Sequence, residues 1–218
     1  MRLNPKKDYG FTDLGTKNTE KLPIWDKFRL NKIREIFKTC NKILDFGDSS
    51  RTLSKLFSNE LKNKERIIVD INKIFNPDII ADICDLSMFE NESVDGVICA
   101  AILEHVYNPF KAVSELYRVL KFKGKMFVYV PWLFKYHAPS TGEFKDYYRF
   151  SKDGVRYLFR EFSSIELCPV RGYAETIFHM IPFCGKGSLL SNLVGKAIRR
   201  IDRYSEKQTS GFNIYVVK

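Results

Sequence analysis

Residues 137–149 of this 218-residue chain bring together side chains that can move protons or bind anions. An unperturbed imidazole titrates near neutral pH, so His137 is the first candidate for a general base toward a hydroxyl group. Asp146 is the second candidate. A loop that only connects two elements does not need such groups, so this loop is predicted to contact a substrate. The predicted substrate contacts are His105, Tyr147, Tyr148 and Arg149.

These assignments have structural alternatives. Tyr147 and Tyr148 could pack against the core while Arg149 forms a surface ion pair. His105 falls at a predicted corner between a strand and a helix, where a histidine is often an oriented structural residue. The residues alone leave both choices open.

Acidic residues also mark the ends of three short apolar runs. KILDF carries Asp45 and is followed by Gly47, RIIVD ends at Asp70, and DIIAD ends at Asp82. Ligands of parallel sheets bind at the carboxyl ends of the strands. An ionised carboxylate there can accept two hydrogen bonds from a ribose diol, which is the role predicted for Asp70. The alternative for Asp70 is a helix cap or a turn.

Two buried strands and one helix must position these groups. SVDGVICAA (93–101) and MFVYV (126–130) are continuous apolar runs of the kind that buried parallel strands show. Between them Asn108 can cap a helix, Pro109 fits its first position, and residues 121–124 are predicted to close it. The predicted apolar face of this helix contains Phe110, Val113, Leu116, Tyr117 and Leu120.

The same signals divide the rest of the chain. Residues 1–41 are predicted to form an irregular arm and a helix, residues 42–171 a core, and residues 172–210 a helical insertion before the last strand. The insertion could cover a substrate, form a dimer face, lie on a membrane surface or simply pack on the core. Further predictions are helices over 25–40, 51–61 and 152–162, and strands over 163–170 and 212–217.

The composition is that of a soluble globular protein, with 44% hydrophobic and 28% charged residues, and its length suits a single domain. The five cysteines form no CxxC pair, which predicts reduced thiols, no metal site and a cytoplasmic location. We expect neither a secretory signal nor a transmembrane segment. The net charge of +10 fits either a lysine-rich solvated surface or a groove for a polyanion.

One long stretch resembles a known family. Residues 81–132 read ADICDLSMFENESVDGVICAAILEHVYNPFKAVSELYRVLKFKGKMFVYVPW, which is similar to the second half of a class I S-adenosylmethionine-dependent methyltransferase. The LEH triplet at 103–105 is typical of small-molecule members, and residues 131–159, PWLFKYHAPSTGEFKDYYRFSKDGVRYLF, resemble a segment often found in members that modify glycans and other small molecules. The resemblance implies an α/β fold with a Rossmann-like, seven-stranded, mostly parallel sheet, an antiparallel last strand and helices on both faces. It also implies methyl transfer to a small-molecule or glycan acceptor, expected to be a hydroxyl group.

The resemblance further implies which residues hold S-adenosylmethionine. The family's first motif, D/E-x-G-x-G, is matched by Asp45 and Gly47, with Ser49 in place of the second glycine. The acid at Asp82 and the backbone that follows it would meet the adenine edge. The implied cofactor-binding residues are Asp45, Gly47, Ser49, Asp70, Ile71, Asp82, Ile83, Ala100 and Ala101.

Two other functions remain open at this point. An RNA methyltransferase is favoured by the net charge, but the chain lacks the Pro-Pro motif that enzymes acting on base amines usually carry. A methyltransferase-like binding module without activity is favoured by Ser49. The oligomeric state is also open, with a dimer as one option.

Overall fold

A seven-stranded sheet organises the part of the chain that the structure describes, which is residues 22–47, 52–181 and 189–218 of a computed structural model. The strands are β1 Lys42–Phe46, β2 Glu65–Asp70, β3 Ile79–Ile80, β4 Val94–Ala100, β5 Leu120–Pro131, β6 Ser164–Val170 and β7 Gly211–Val217. They lie in the order β3-β2-β1-β4-β5-β7-β6. Strand β7 is antiparallel to both neighbours, and the other pairs are parallel. The predicted Rossmann-like fold class is confirmed.

Helices cover both faces of this sheet. Within the described ranges they are α1 Ile24–Thr39, α2 Thr52–Leu56, α3 Pro109–Val119, α4 Lys152–Leu158, α5 Tyr173–Met180 and α6 Leu189–Ile201. Successive residues of a strand point to opposite faces, so Val97 of β4 packs in the layer of α3 and α4 while Ile98 packs in the layer of α1. A strand that is covered on both faces reads as one continuous apolar run, which is why the central strands were visible in the sequence.

Helix α3 begins where the sequence predicts but ends earlier. The side chain of Asn108 caps it by accepting a hydrogen bond from the backbone amide of Lys111. The predicted closure of the helix by residues 121–124 is wrong, since these residues lie in β5. Leu120 already pairs with Val94 of β4, and the register shifts before Gly96 meets Lys125. Pairing with β4 therefore extends the strand at the expense of the helix.

The buried face of α3 also differs from the prediction. Val113 and Leu116 are buried as expected, but Phe110 is 53% exposed and stacks edge-on against Tyr157 of α4. Glu115 takes a buried place instead. A carboxylate can do so because Arg118 neutralises it, and charge pairing of this kind is invisible to an apolar pattern.

Three further predicted elements are shorter in the structure. The helix expected over residues 152–162 ends at Leu158. The helix expected over residues 51–61 is regular only over α2 and continues as turns, with Asn63 in the left-handed region at a φ of 63°. The third strand lies at the edge of the sheet and pairs with β2 through Ile79 and Ile80 alone. The predicted arm, Ser49 and Cys184 lie outside the described residues. No helix among the described residues is both long and apolar enough to cross a membrane.

Glu115 makes the attachment of α3 depend on pH. Its carboxylate accepts hydrogen bonds from the Leu86 amide at 3.0 Å and from Arg118 Nη2 at 2.9 Å. The hydrogen bond from Arg118 lowers the pKa of Glu115 to about 2. A carboxylate whose pKa falls on folding stabilises the native state above its unfolded-state pKa of about 4.3, and this contribution is lost as the pH falls toward 2.

We therefore expect Glu115→Gln to lower the free energy of unfolding by roughly 2–3 kcal/mol at pH 7 and by roughly half as much at pH 3. Urea titrations of wild type and variant at both pH values measure the difference. Glu161→Gln is the control, because Glu161 is an exposed residue whose ion pair with Arg160 lies at the surface. An equal loss at both pH values in Glu115→Gln would contradict the assignment.

Candidate active site

The turn after β1 leaves room only for glycine at its first position. Gly47 has a φ of +85°, a conformation that other residues rarely adopt. A Cβ atom added there would lie 2.4 Å from Cδ1 of Ile102. Ile102 directly precedes a short 3-10 helix, Leu103–His105, which follows β4. The ends of β1 and β4 are therefore in contact at the carboxyl edge of the sheet, where ligands of such sheets bind.

A carboxylate and an exposed apolar side chain stand together at the end of β2. Asp70 Oδ1 accepts a hydrogen bond from the Asn72 amide at 2.9 Å, and burial raises the pKa of Asp70. Ile71, the next residue, is 63% exposed. A carboxylate for a diol beside an apolar surface for a ring is the chemistry that a nucleoside needs, so these residues fit the predicted cofactor.

Asp82 and Ile83 follow the edge strand β3. Asp82 Oδ1 accepts a hydrogen bond from the Cys84 amide at 2.8 Å, which fixes the turn. Ile83 is buried in the core. The turn is therefore rigid enough to present a carboxylate, and the roles of Asp82 and Ile83 toward the cofactor stay predictions.

Asp45 forms an ion pair with Arg66 inside the protein. Its side chain is buried, and Oδ2 accepts hydrogen bonds from Nη2 of Arg66 at 2.6 Å and from Nε at 2.9 Å. A buried carboxylate needs such a partner. The contact predicted between Asp45 and a cofactor would have to be made beside this ion pair.

Strand β4 ends in an unusual backbone conformation. Ala101 lies in the left-handed region with a φ of 58°, and its amide donates to the carbonyl of Tyr129 at 3.0 Å. A non-glycine residue in this region costs about 1–3 kcal/mol and is often found at functional sites. The reversal at Ala101, just after Ala100, turns the chain into the residues that follow.

Those residues contribute to a group of three titratable side chains that lie close together, which we call the histidine cluster: Glu104, His105 and His137. The two Nε2 atoms lie 3.1 Å apart. Glu104 Oε1 lies 3.8 Å from Nε2 of His105 and 3.7 Å from Nε2 of His137. The first two residues come from the turn after β4 and the third from the loop after β5. Two separate predictions, a histidine at each loop, are thus brought together by the parallel pairing of β4 and β5.

Asp146 orients one histidine of the cluster. Its Oδ2 lies 3.1 Å from Nδ1 of His137 and accepts the His137 backbone amide at 2.9 Å. Burial opposes ionisation of Asp146, but hydrogen bonds from Arg149 and from the His137 amide lower its pKa to about 2. Asp146 therefore carries a full negative charge at neutral pH and orients the His137 ring through Nδ1, on the side away from Nε2.

His105 is oriented from another side. Its Nδ1 lies 2.6 Å from the carbonyl oxygen of Lys145, so this nitrogen carries the hydrogen and Nε2 faces the cluster. Burial lowers the pKa of His105. The ring also packs on Phe144 at 4.5 Å between centroids. The structure therefore shows His105 as an oriented residue, and its contact with a substrate stays a prediction.

Arg149 holds the loop after β5 together. Its guanidinium forms a two-pronged ion pair with Asp146 and donates to the carbonyls of Phe134 at 3.0 Å and Lys135 at 2.9 Å. It is therefore committed to the loop, and a contact with substrate would be additional. Tyr147 and Tyr148 both donate their amides to the Glu104 carbonyl, while their rings remain half exposed and accessible to a substrate.

Glu104 is the residue that sequence reasoning missed. Its side chain is 1% exposed, and among the described residues neither of its carboxylate oxygens has a hydrogen-bond partner. The LEH triplet pointed to the position, but nothing in the sequence shows that this carboxylate turns inward toward two histidines.

Arg149→Ala should lower the free energy of unfolding by about 2–4 kcal/mol, because it leaves the buried charge of Asp146 without its partner. Urea titration measures this loss. Limited proteolysis should show faster cleavage within residues 132–150. Arg156→Ala, an exposed arginine on α4, is the matched control and should change stability by less than about 0.5 kcal/mol. Unchanged stability of Arg149→Ala would show that the loop is held by other contacts.

Comparison with known proteins bears on the same part of the chain. The profile of a family described as a methyltransferase domain matches residues 47–128, which run from the glycine turn after β1 to the middle of β5. Among curated protein sequences, none matches the chain significantly.

Solved structures share the fold at low sequence identity. A SAM-dependent methyltransferase from Archaeoglobus fulgidus has a TM-score of 0.59 and 18% identity, covering 88% of this chain and 93% of its own. Phosphoethanolamine N-methyltransferase 2 of Haemonchus contortus, in complex with phosphomonomethylethanolamine and S-adenosylhomocysteine, has a TM-score of 0.55 and 16% identity, with 88% and 52% covered. Didemethyltoxoflavin N1-methyltransferase of Burkholderia thailandensis, with its substrate and S-adenosylhomocysteine, has a TM-score of 0.51 and 9% identity, with 87% and 75% covered.

These findings agree with the geometry at the carboxyl edge of the sheet. The matched domain begins at Gly47 and includes Asp70, Asp82 and the turn that carries Glu104. The family profile covers less than half of the chain, and the solved structures show a shared methyltransferase fold.

Proposed function

We propose that this chain is an S-adenosylmethionine-dependent methyltransferase that methylates a hydroxyl group of a small-molecule or glycan acceptor, and that the acceptor loses its proton at the histidine cluster. The observation that carries the proposal is the position of the Asp146 carboxylate behind Nδ1 of His137, whose Nε2 faces His105 within the histidine cluster at the carboxyl edge of the sheet. An imidazole oriented by a carboxylate is an established form of general base.

The residues around the sheet edge divide the binding of the cofactor among them. Gly47 lets the backbone approach the ligand closely, Asp70 accepts hydrogen bonds from the ribose hydroxyls, and Ile71 covers one face of the adenine ring. Asp82 and the backbone of Ile83 meet the adenine edge. Ala100 and Ala101 border the methionine end, next to the histidine cluster. Asp45 supports this edge through its ion pair with Arg66.

S-adenosylmethionine supplies an electrophilic methyl group on a positively charged sulfur. The protein has to hold the acceptor oxygen in line with that group and to remove the hydroxyl proton. Without a further ion in the cluster, His137 Nε2 receives the proton, and the negative charge of Asp146 stabilises the imidazolium that results. His105, Tyr147, Tyr148 and Arg149 border the acceptor.

We propose oxygen as the acceptor atom because of the histidine cluster, and not because of the similar solved structures. The two neighbours in complex with S-adenosylhomocysteine also hold small molecules, and both are N-methyltransferases. An unprotonated amine is already nucleophilic and needs only positioning, whereas a hydroxyl group benefits from a base. A buried carboxylate with two oriented histidines suits the more demanding acceptor.

An RNA acceptor is the second candidate, favoured by the net charge of +10. Binding of RNA with a steep dependence on salt, together with methylation of RNA and not of small hydroxyl compounds, would favour that candidate. A binding module without activity would bind S-adenosylhomocysteine but transfer no methyl group to any acceptor.

Gly47→Ala should weaken binding of S-adenosylhomocysteine at least 10-fold, because the added Cβ would meet Ile102 and the backbone would be strained. Isothermal titration calorimetry measures the affinity. Gly142→Ala is a matched control, since Gly142 also has a positive φ of +82° but an added Cβ would meet nothing within 4 Å. Equal affinities for wild type and Gly47→Ala would place the cofactor elsewhere.

His137→Ala should lower kcat at least 100-fold on a hydroxyl acceptor while the affinity for S-adenosylhomocysteine stays within about 3-fold of wild type. Turnover is followed as S-adenosylhomocysteine release with a panel of sugars and other hydroxyl compounds. His179→Ala, a histidine on α5, is the control and should retain activity. Near-normal turnover of His137→Ala would remove the proposed role of this residue.

A further inference from the structure

We propose that the histidine cluster binds one divalent first-row transition-metal ion, with Glu104, His105 and His137 as its ligands. The three ligand atoms form a triangle with sides of 3.1, 3.7 and 3.8 Å. A point equidistant from the corners of such a triangle lies about 2.1 Å from each, which matches zinc–nitrogen and zinc–oxygen bonds of about 2.0–2.2 Å. The cluster therefore already has the dimensions of a metal site.

The histidine tautomers point the same way. Nδ1 of His105 donates to the Lys145 carbonyl, and Nδ1 of His137 faces the Asp146 carboxylate, which accepts a hydrogen. Each neutral ring then has a lone pair on Nε2, and the two lone pairs face each other across 3.1 Å. A cation between them removes this repulsion. Hydrogen bonds from the far nitrogen to a carbonyl or carboxylate are also the usual support of metal-bound histidines.

Glu104 supplies an independent observation. Its carboxylate is buried, and neither oxygen has a hydrogen-bond partner among the described residues. Burying an ionised carboxylate without a partner costs several kcal/mol, so a positive charge beside it would be strongly favoured. The only positive groups that the structure offers within 4 Å in the described part of the chain are the two histidines, if they are protonated.

The donor set selects the class of ion. Two imidazoles and one carboxylate suit Zn²⁺, Co²⁺, Mn²⁺ or Fe²⁺, whereas Mg²⁺ and Ca²⁺ prefer oxygen ligands throughout. Three protein ligands leave further coordination positions open. Catalytic zinc sites share this property, whereas structural zinc sites have four protein ligands. The side chains of His105 and His137 are 13% and 19% exposed, so the cluster is not fully closed off from solvent.

The ion would also have a catalytic role, which rests on the proposed methyl transfer to a hydroxyl group. Coordination lowers the pKa of a hydroxyl group, so the acceptor would bind the ion as an alkoxide and His137 would act as a ligand in place of a base. The acceptor oxygen then forms the bond to the methyl carbon while the carbon–sulfur bond breaks and leaves its electron pair on sulfur. The hydroxyl proton leaves to solvent, and the oxidation state of the metal does not change.

The competing account of the same geometry is a shared proton. One histidine would be an imidazolium that donates through Nε2 to the other, and its charge would offset that of Glu104. This account needs no metal. The two accounts differ in stoichiometric metal binding, which is directly measurable.

The test is titration of the metal-free protein with Zn²⁺ by calorimetry, and with Co²⁺ followed by visible absorption. We expect one Zn²⁺ per chain with a Kd of micromolar or tighter, and a Co²⁺ spectrum of the intensity that four- or five-coordinate sites show. Glu104→Gln and His105→Ala should each weaken Zn²⁺ binding at least 10-fold. His179→Ala, which alters a histidine near Glu175 on α5, should bind as wild type does.

Absence of stoichiometric binding to the wild-type protein, or an affinity unchanged in Glu104→Gln, would overturn the proposal. The wild-type Co²⁺ spectrum requires no variant to fold. Titration of the same samples with S-adenosylhomocysteine separates the two claims. Binding of the cofactor product without Zn²⁺ would refute the metal site alone, and binding of Zn²⁺ without the cofactor product would refute the proposed function alone.

Discussion

The buried carboxylate of Glu104 is the constraint on which the candidate site depends. Its backbone carbonyl accepts the amides of Tyr147 and Tyr148, so the turn after β4 and the loop after β5 are joined at this residue. Its side chain then faces two histidines in a space from which water is largely excluded. A charge in that position has to be balanced locally, and the surrounding groups are arranged accordingly.

A second ion pair fixes the other half of the site. Arg149 and Asp146 lock the loop after β5 and orient His137, so the cluster does not depend on a flexible loop for its geometry. The turn with Glu104 and the loop with Arg149 follow the adjacent parallel strands β4 and β5. These strands bring two segments more than 30 residues apart in the chain to one edge of the sheet. The sheet brings the two loops together, and the ion pair of Arg149 with Asp146 sets the orientation of His137.

The sequence predicts the sheet well because buried parallel strands are continuous apolar runs with recognisable turns. The strands β1, β4 and β7 were placed within one or two residues, and the order of elements follows from the family resemblance. The end of α3 was missed because Leu120 satisfies an apolar pattern equally well in a helix and in a strand, and only its pairing with Val94 decides.

The site was harder to predict for a different reason. His105, His137 and Asp146 were candidates from their residue types, but their mutual distances depend on the pairing of two strands and on the path of a loop. The inward direction of Glu104 and the ion pair of Asp45 with Arg66 are properties of side-chain packing, which no spacing in the sequence encodes.

The measurement that tests this account most directly is diffraction from crystals grown with S-adenosylhomocysteine. We expect ribose hydroxyl groups within hydrogen-bond distance of the Asp70 carboxylate and the sulfur atom facing the histidine cluster. A ligand bound elsewhere, or one whose sulfur points away from His137, would contradict it.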